Sequence, residues 1–511
     1  MFKKTATAGL LPALVVSAVL VMAFIAPGRA GQVGLNTSGC PYPYTGCNPT
    51  VTSVVPDRGT TAGATSVTIT GTHFTGATAV SFGGTAATSF VVVNDTTITA
   101  VTPAHVSATV DVRVTTAVAT SVVSAGDKYT FVAPSVFHPR QPLRILDTRS
   151  SGGHLHAGDS VTIQFAGVST PADSTAVTLN VTVTNTTTTG FLTVYPTGSP
   201  RPLSSNLNWV AHETVPNLVS VAIGSGGDVT FYNQVGTTDV IVDLEGWYEP
   251  QNVTTDGEFV SLPPARITDT RTGSGLPNAG HHLGAGGTVN VLVLGAGGVP
   301  ATGAESVILN VTATYTSQTS FLTAYPTGSS RPLASNLNWV AHKTVPNRVS
   351  VPIGAGGMVT LYNDVGTVDV VVDVNGYYTS ATATGGFLLP LTPVRILDTR
   401  NGTGGFSSPV GQGQTISVTI DGRGGVPSSG VSEVILNVTA TDPTAKASFL
   451  TIFPDGISRP LASDLNFVKG QTVPNLVFVK VGADGKVAVY NVKGTTEVIF
   501  DVAGWFSYPL G

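Results

Sequence analysis

The 511-residue chain predicts an all-β protein made of several sandwich-type domains, and three observations carry that expectation. Gly, Thr, Val, Ser and Ala dominate the composition, and β-branched side chains suit a pleated surface. After the first thirty residues there is no amphipathic helical period, whereas short apolar runs bounded by turn residues recur throughout. A long block then occurs three times, which fixes the architecture as an array. The length also exceeds what one core supports.

Residues 1–30 have the pattern of an export signal. Lys3 and Lys4 precede an apolar run from Leu10 to Ala26, and Gly28-Arg29-Ala30 offers small residues for cleavage. An uncleaved membrane anchor is the alternative reading of the same segment. Export predicts a secreted or cell-surface protein, with no membrane span once the signal is removed. Segment 31–48 holds Cys40 and Cys47, the two cysteines of the chain. Two thiolates without further ligands make a poor zinc site, so a disulfide closing a small Pro/Tyr loop is expected.

Residues 49–133 read as about seven short strands separated by turn signals. Pro56 and Gly59 precede VTITGTHF, followed by SFGGTAAT, TITAVTPAH and a closing YTF. This segment resembles the IPT/TIG family of immunoglobulin-like domains. The resemblance implies a small β-sandwich serving as a spacer or interaction module, with no catalytic residues to carry over.

Three copies of a second module follow, at 137–249, 258–379 and 386–511. They open on RILDTR, RITDTR and RILDTR, and continue through LNVT at Asn180, Asn310 and Asn437. FLTVYPTG and its relatives come next, then RPLSSNLNW, RPLASNLNW and RPLASDLNF, TVPN, and finally DVIVDLEGWY or its siblings. Spacing is nearly constant from LNVT onward, so the length differences fall in a tolerant early loop. Each copy has roughly 110–125 residues, enough to fold alone and longer than a propeller blade or solenoid rung. Three β-sandwich-type domains in tandem are therefore expected. They resemble uncharacterised β modules of secreted actinobacterial proteins.

Strand alternation assigns Val177, Leu179, Val181 and Val183 to one face and Thr178, Asn180 and Thr182 to the other. Asp147, Asp269 and Asp398 each stand two residues before an arginine (Arg149, Arg271, Arg400), while Asp243, Asp373 and Asp501 sit inside apolar runs. Paired carboxylates suit a glycosidase. The alternative, preferred here, is an Asp–Arg pair locking the first strand of each copy to the last, since a charge in an apolar run needs a partner. Fragments such as DVNG lack the remaining ligands of a calcium loop. No nucleophile elbow, HExxH or Walker loop is present, so neither an enzyme nor a metal or other cofactor is expected.

Charged residues make up only 10% of the chain and the net charge is −5, which argues against a nucleic-acid partner. Three function classes remain: an exported, non-catalytic binding or scaffold protein, a lectin-like binder of cell-envelope glycans or other polysaccharide, and a hydrolase with an unfamiliar site. Surface proteins are alternative partners to glycans, and the oligomeric state is left open. Candidate ligand-binding residues are Asn208, Asn338 and Asn466, with Trp209, Trp339, Trp247 and Trp505 as stacking platforms. In the third copy Phe467 stands for the tryptophan of RPLSSNLNW, which favours a packing role for that ring, and Lys469 or Gly470 stands for the histidine.

Overall fold

The computed structural model describes residues 48–251, 256–380 and 385–507. The signal segment, Cys40 and Cys47, and parts of the links between repeats lie outside the described residues. Regular structure is β throughout, with three short 3-10 turns and no α-helix among the described residues.

The first sandwich stacks two sheets. One has the strand order Thr50–Val55, Ser66–Thr72, Thr97–Val101, Ser89–Asn94. The other runs Arg58–Thr60, Lys128–Val132, Ala108–Thr116, Ala77–Phe82, Thr85–Ala86. Ser66–Thr72 alternates exposed and buried residues along its whole length, as a half-buried strand should. Ile69, Phe74, Phe82, Tyr129 and Phe131 fill the space between the sheets.

Each repeat is a second type of sandwich, with an inner and an outer four-stranded sheet. In repeat 1 the inner sheet is ordered Val215–Ala222, Ala176–Thr184, Asp239–Pro250, Ser135–Asp147. Its outer sheet is Ser160–Gln164, Asp228–Asn233, Gly190–Pro196, Leu207–Trp209. The same orders recur in repeats 2 and 3, and a bridge between Ser135 and Leu388 joins the inner sheets of repeats 1 and 3. Each repeat has its own aliphatic core between the sheets.

A further core lies outside all three sandwiches. Phe137, Tyr248, Phe259, Tyr378, Leu388, Phe478 and Phe506, drawn from all three repeats, pack together where the inner sheets meet. Phe137 and Tyr378 approach to 4.2 Å between ring centroids, and Phe259 and Phe506 to 4.7 Å. The Tyr248 and Tyr378 hydroxyls hydrogen-bond at 2.6 Å. A β-bulge makes this core accessible to the last strand of each repeat. Glu245, Asn375 and Ala503 are the unpaired residues, and each shifts the strand parity by one. Val242, Leu244 and Trp247 consequently face the sandwich core while Tyr248 faces the shared one. The following Gly246 and Gly376 allow close contact, since a Cβ there would meet the Phe137 or Phe259 ring at 2.3 or 2.4 Å.

The polar face assigned from alternation is buried as well. Thr178, Asn180 and Thr182 are at most 1% exposed. The reason is a cyclic set of contacts between repeats. Asn180 Nδ2 donates to the Ser335 carbonyl of repeat 2 at 2.8 Å, Asn310 to Ser463 of repeat 3 at 2.6 Å, and Asn437 to Ser205 of repeat 1 at 2.8 Å. Three equivalent seams close the repeats into a pseudo-threefold ring. A buried amide needs a partner, and each LNVT asparagine finds its partner in the next repeat.

Individual residues distinguish the seams. Between repeats 2 and 3, the fully buried Arg348 donates to Asp464 at 2.7 Å and to the Leu476 carbonyl at 3.0 Å. Between repeats 1 and 2, Glu245 accepts from Asn336 at 2.8 Å and from the Ser350 amide at 3.2 Å. Burial, partly offset by these donors, pushes the Glu245 carboxyl from 4.5 up to about 8. Below pH 4.5 the group is protonated in both folded and unfolded chains. Between 4.5 and about 8 only the unfolded chain releases the proton, so stability falls as pH rises through this window and levels off above it. The slope contributed is at most about 1.4 kcal/mol per pH unit. Urea midpoints taken from pH 5 to 8.5 should therefore fall more steeply for the wild type than for Glu245→Gln.

Candidate functional site

The stretch 201–217 and its two counterparts build the seam and then open onto a cavity. Arg201, Arg331 and Arg459 lie over Tyr232, Tyr362 and Tyr490 at 3.9, 4.1 and 4.3 Å, a cation–π cover on the outer sheet. Those half-buried tyrosines are thus surface residues capped by arginine. Asn206 Oδ1 accepts from the Val194 amide at 2.7 Å, pinning the loop to its own outer sheet. The asparagines of TVPN act at the ring centre. Asn217 Nδ2 donates to the Asn206 carbonyl at 2.6 Å, and the Leu218 amide donates across the seam to Asn347 Oδ1 at 3.3 Å.

Asn208, Asn338 and Asn466 converge on one cavity of about 780 Å3, lined by equivalent positions of all three repeats and hence axial to the ring. In each copy a serine hydroxyl donates to the asparagine Oδ1: Ser205 at 2.9 Å, Ser335 at 3.0 Å and Ser463 at 3.1 Å. That bond fixes the carboxamide and leaves its NH2 without a protein partner among the described residues. The three half-buried amides therefore present donors to a shared space. Phe321 and Phe449 add apolar lining, and Glu213, Lys343, Asp364 and Lys493 add charges of both signs. His212 and His342 also line the cavity, at φ +67° and +65°. The equivalent Gly470 adopts φ +73°, which explains why glycine suits that position.

Burial agrees with the packing role expected of the Trp209 ring and overturns the stacking role expected of the other tryptophans. Trp209, Trp339 and Trp505 are 3%, 5% and 4% exposed, so their ring faces are occupied by protein. Trp339 Nε1 donates to the Gln318 carbonyl at 3.0 Å. Trp247 is half-buried, with its ring stacked on His138 and Nε1 donating to Glu249 at 2.5 Å. Burial thus removes three of the four platforms, and His138 covers the fourth.

The acidic positions form clasps. Arg144 reaches Asp243 at 2.8 and 3.2 Å, Arg266 reaches Asp373 at 2.9 and 3.2 Å, and Arg395 reaches Asp501 at 2.9 and 3.2 Å. The arginine that ties the first strand to the last is therefore the first of RILDTR. Arg149, Arg271 and Arg400 instead fold back onto Asp147, Asp269 and Asp398. The Arg149 hydrogen bond holds the Asp147 carboxyl below its usual range, whereas burial raises Asp243 despite Arg144. Arg395 and Arg266 also donate to the carbonyls of Leu203 and Leu461 in the next repeat. These carboxylates belong to the ring's framework.

Sequence reasoning missed Arg144 and its counterparts, Glu245 and Arg348. A signal existed for Arg348: it interrupts VPNRVSV where the siblings have leucine.

Residues 49–131 match the IPT/TIG domain family, and this part of the chain is an IPT/TIG domain. No curated protein matches the chain. Among solved structures it is similar to a triple jelly roll protein of an archaeal virus, at 10% identity and TM-score 0.17, covering 74% of this chain and 91% of that one. It is also similar to SGBP-B from a xyloglucan utilization locus of Bacteroides uniformis, at 12% identity and TM-score 0.17, covering 65% and 99%. The surface glycan-binding protein PbSGBP-B of Prevotella bryantii gives 10% identity and TM-score 0.16, covering 65% and 98%. TM-scores this low carry no argument about this chain.

Proposed function

We propose that the chain is an exported, non-catalytic binding protein, extracellular or held at the cell surface, whose three repeats build one ligand-binding body. The observation that carries this reading is the convergence of Asn208, Asn338 and Asn466 on a single cavity. The three copies then supply one composite site, with the IPT/TIG domain as spacer. Fixed amide donors beside aromatic and mixed-charge lining suit a polar, hydroxyl-rich ligand, and a cell-envelope glycan or other polysaccharide is the class we assign.

Cosedimentation with peptidoglycan, insoluble polysaccharide and whole cells tests this assignment. The triple variant Asn208→Ala/Asn338→Ala/Asn466→Ala should lose about tenfold or more in affinity with an unchanged melting temperature. A wild type that sediments with none of these, or a triple variant that binds as the wild type does, would remove the reading.

A further inference from the structure

A second cleft lies at the edge of repeat 2, lined by Arg271, Thr272, Ser274, His282, Tyr315 and Asp369. Its backbone and hydrogen bonding set it apart from the equivalent place in repeat 1. In repeat 1, Asp239 is satisfied on both oxygens. Thr148 donates to Oδ1 at 2.8 Å, His154 Nδ1 lies 2.9 Å from Oδ1, and Asn185 Nδ2 donates to Oδ2 at 2.8 Å. Asn185 adopts a left-handed backbone, φ +52°, which asparagine tolerates.

Repeat 2 keeps the first half of this arrangement. Thr270 donates to Asp369 Oδ1 at 2.7 Å, and His282 Nδ1 lies 2.7 Å from the same oxygen. The position of Asn185 is taken by Tyr315, in the same left-handed conformation at φ +50° and with 71% of its surface exposed. Asp369 Oδ2 consequently accepts no hydrogen bond among the described residues, although the side chain is only 6% exposed and lines the cleft. Around it, Thr272 Oγ1 lies 3.3 Å from His282 Nε2, and Arg271 uses Nε and Nη2 on Asp269, leaving Nη1 without a partner among the described residues. An aromatic ring held exposed in an unfavourable conformation, beside a buried carboxylate that has lost its donor, marks a ligand site.

We infer that this cleft binds a glycosyl unit, its C–H face stacked on Tyr315 and a ring hydroxyl donating to Asp369 Oδ2. A saccharide offers both an apolar face and hydroxyl donors within one ring. Arg266 and Arg271 are balanced there by Asp269 and Asp369, which suits an uncharged ligand. The site is independent of the axial cavity.

Titration calorimetry on the full chain tests it, with a panel of maltose, cellobiose, galactobiose and diacetylchitobiose and their longer oligomers. The background is the axial triple asparagine variant, so binding there reports this cleft. That background should still bind a member of the panel. Tyr315→Asn should then cost at least about tenfold in affinity while raising the melting temperature, because asparagine suits the backbone and regains the bond to Asp369 seen in repeat 1. Tyr315→Phe should retain binding, and Asp369→Asn should lose it. A purely structural tyrosine would give no affinity change with Tyr315→Asn. That result, or an axial variant that binds nothing in the panel, would overturn the inference. Failure of the axial reading shows separately, as a triple variant indistinguishable from the wild type.

Discussion

Replacing Asp464 by Asn is expected to destabilise the protein by about 3–5 kcal/mol, the range for removing one partner of a buried ion pair. Arg348 is fully enclosed at the seam of repeats 2 and 3, and its charge would be left without a counterion. The other two seams show how the same place is filled without charge. Leu218 and Leu476 stand at the arginine position, and Asn336 and Asn206 at the aspartate position. The double variant Arg348→Leu/Asp464→Asn recreates that pairing and should recover most of the lost stability. Urea unfolding of the two variants checks both halves. A double variant as unstable as the single one would show that the seams are not interchangeable.

Phe259→Ala should cost about 3–5 kcal/mol, the usual range for emptying a buried phenylalanine site. The ring touches Tyr378 of its own repeat and Phe478 and Phe506 of repeat 3, at 5.0, 5.3 and 4.7 Å between centroids. Little can relax into the space, because the backbone at Gly376 already lies against the ring. Thermal unfolding gives the magnitude directly.

Much of the fold was legible in the sequence. The phrases VTITGTHF and SFGGTAAT marked the IPT/TIG sandwich, and the alternation of VTLNVTVT marked which side of that strand enters the sandwich core. Where the other side goes was hidden. A row of Thr and Asn reads the same whether it meets water or the carbonyls of a neighbouring repeat, and only the closed ring supplies those carbonyls. The bulge at Glu245 was equally silent, since one extra residue leaves the composition of the strand unchanged while moving Tyr248 to a different core. For the candidate site, repetition pointed to Asn208 and its counterparts, but their meeting in one cavity is a long-range event. Two arginines in RILDTR left open which one reaches Asp243, and spacing alone favoured the wrong one. Tyr315 was legible only as a departure, an aromatic residue where repeat 1 has Asn185.

The three repeats are one folded body around a shared core. Native-state hydrogen exchange on the full-length Phe259→Ala protein tests this most directly. The closed ring predicts faster exchange in the inner strands of all three repeats, Ala176–Thr184 and Val431–Thr441 as well as Ala304–Thr314. Loss of protection confined to Ala304–Thr314 and its partners within repeat 2 would contradict the ring and leave three independent domains.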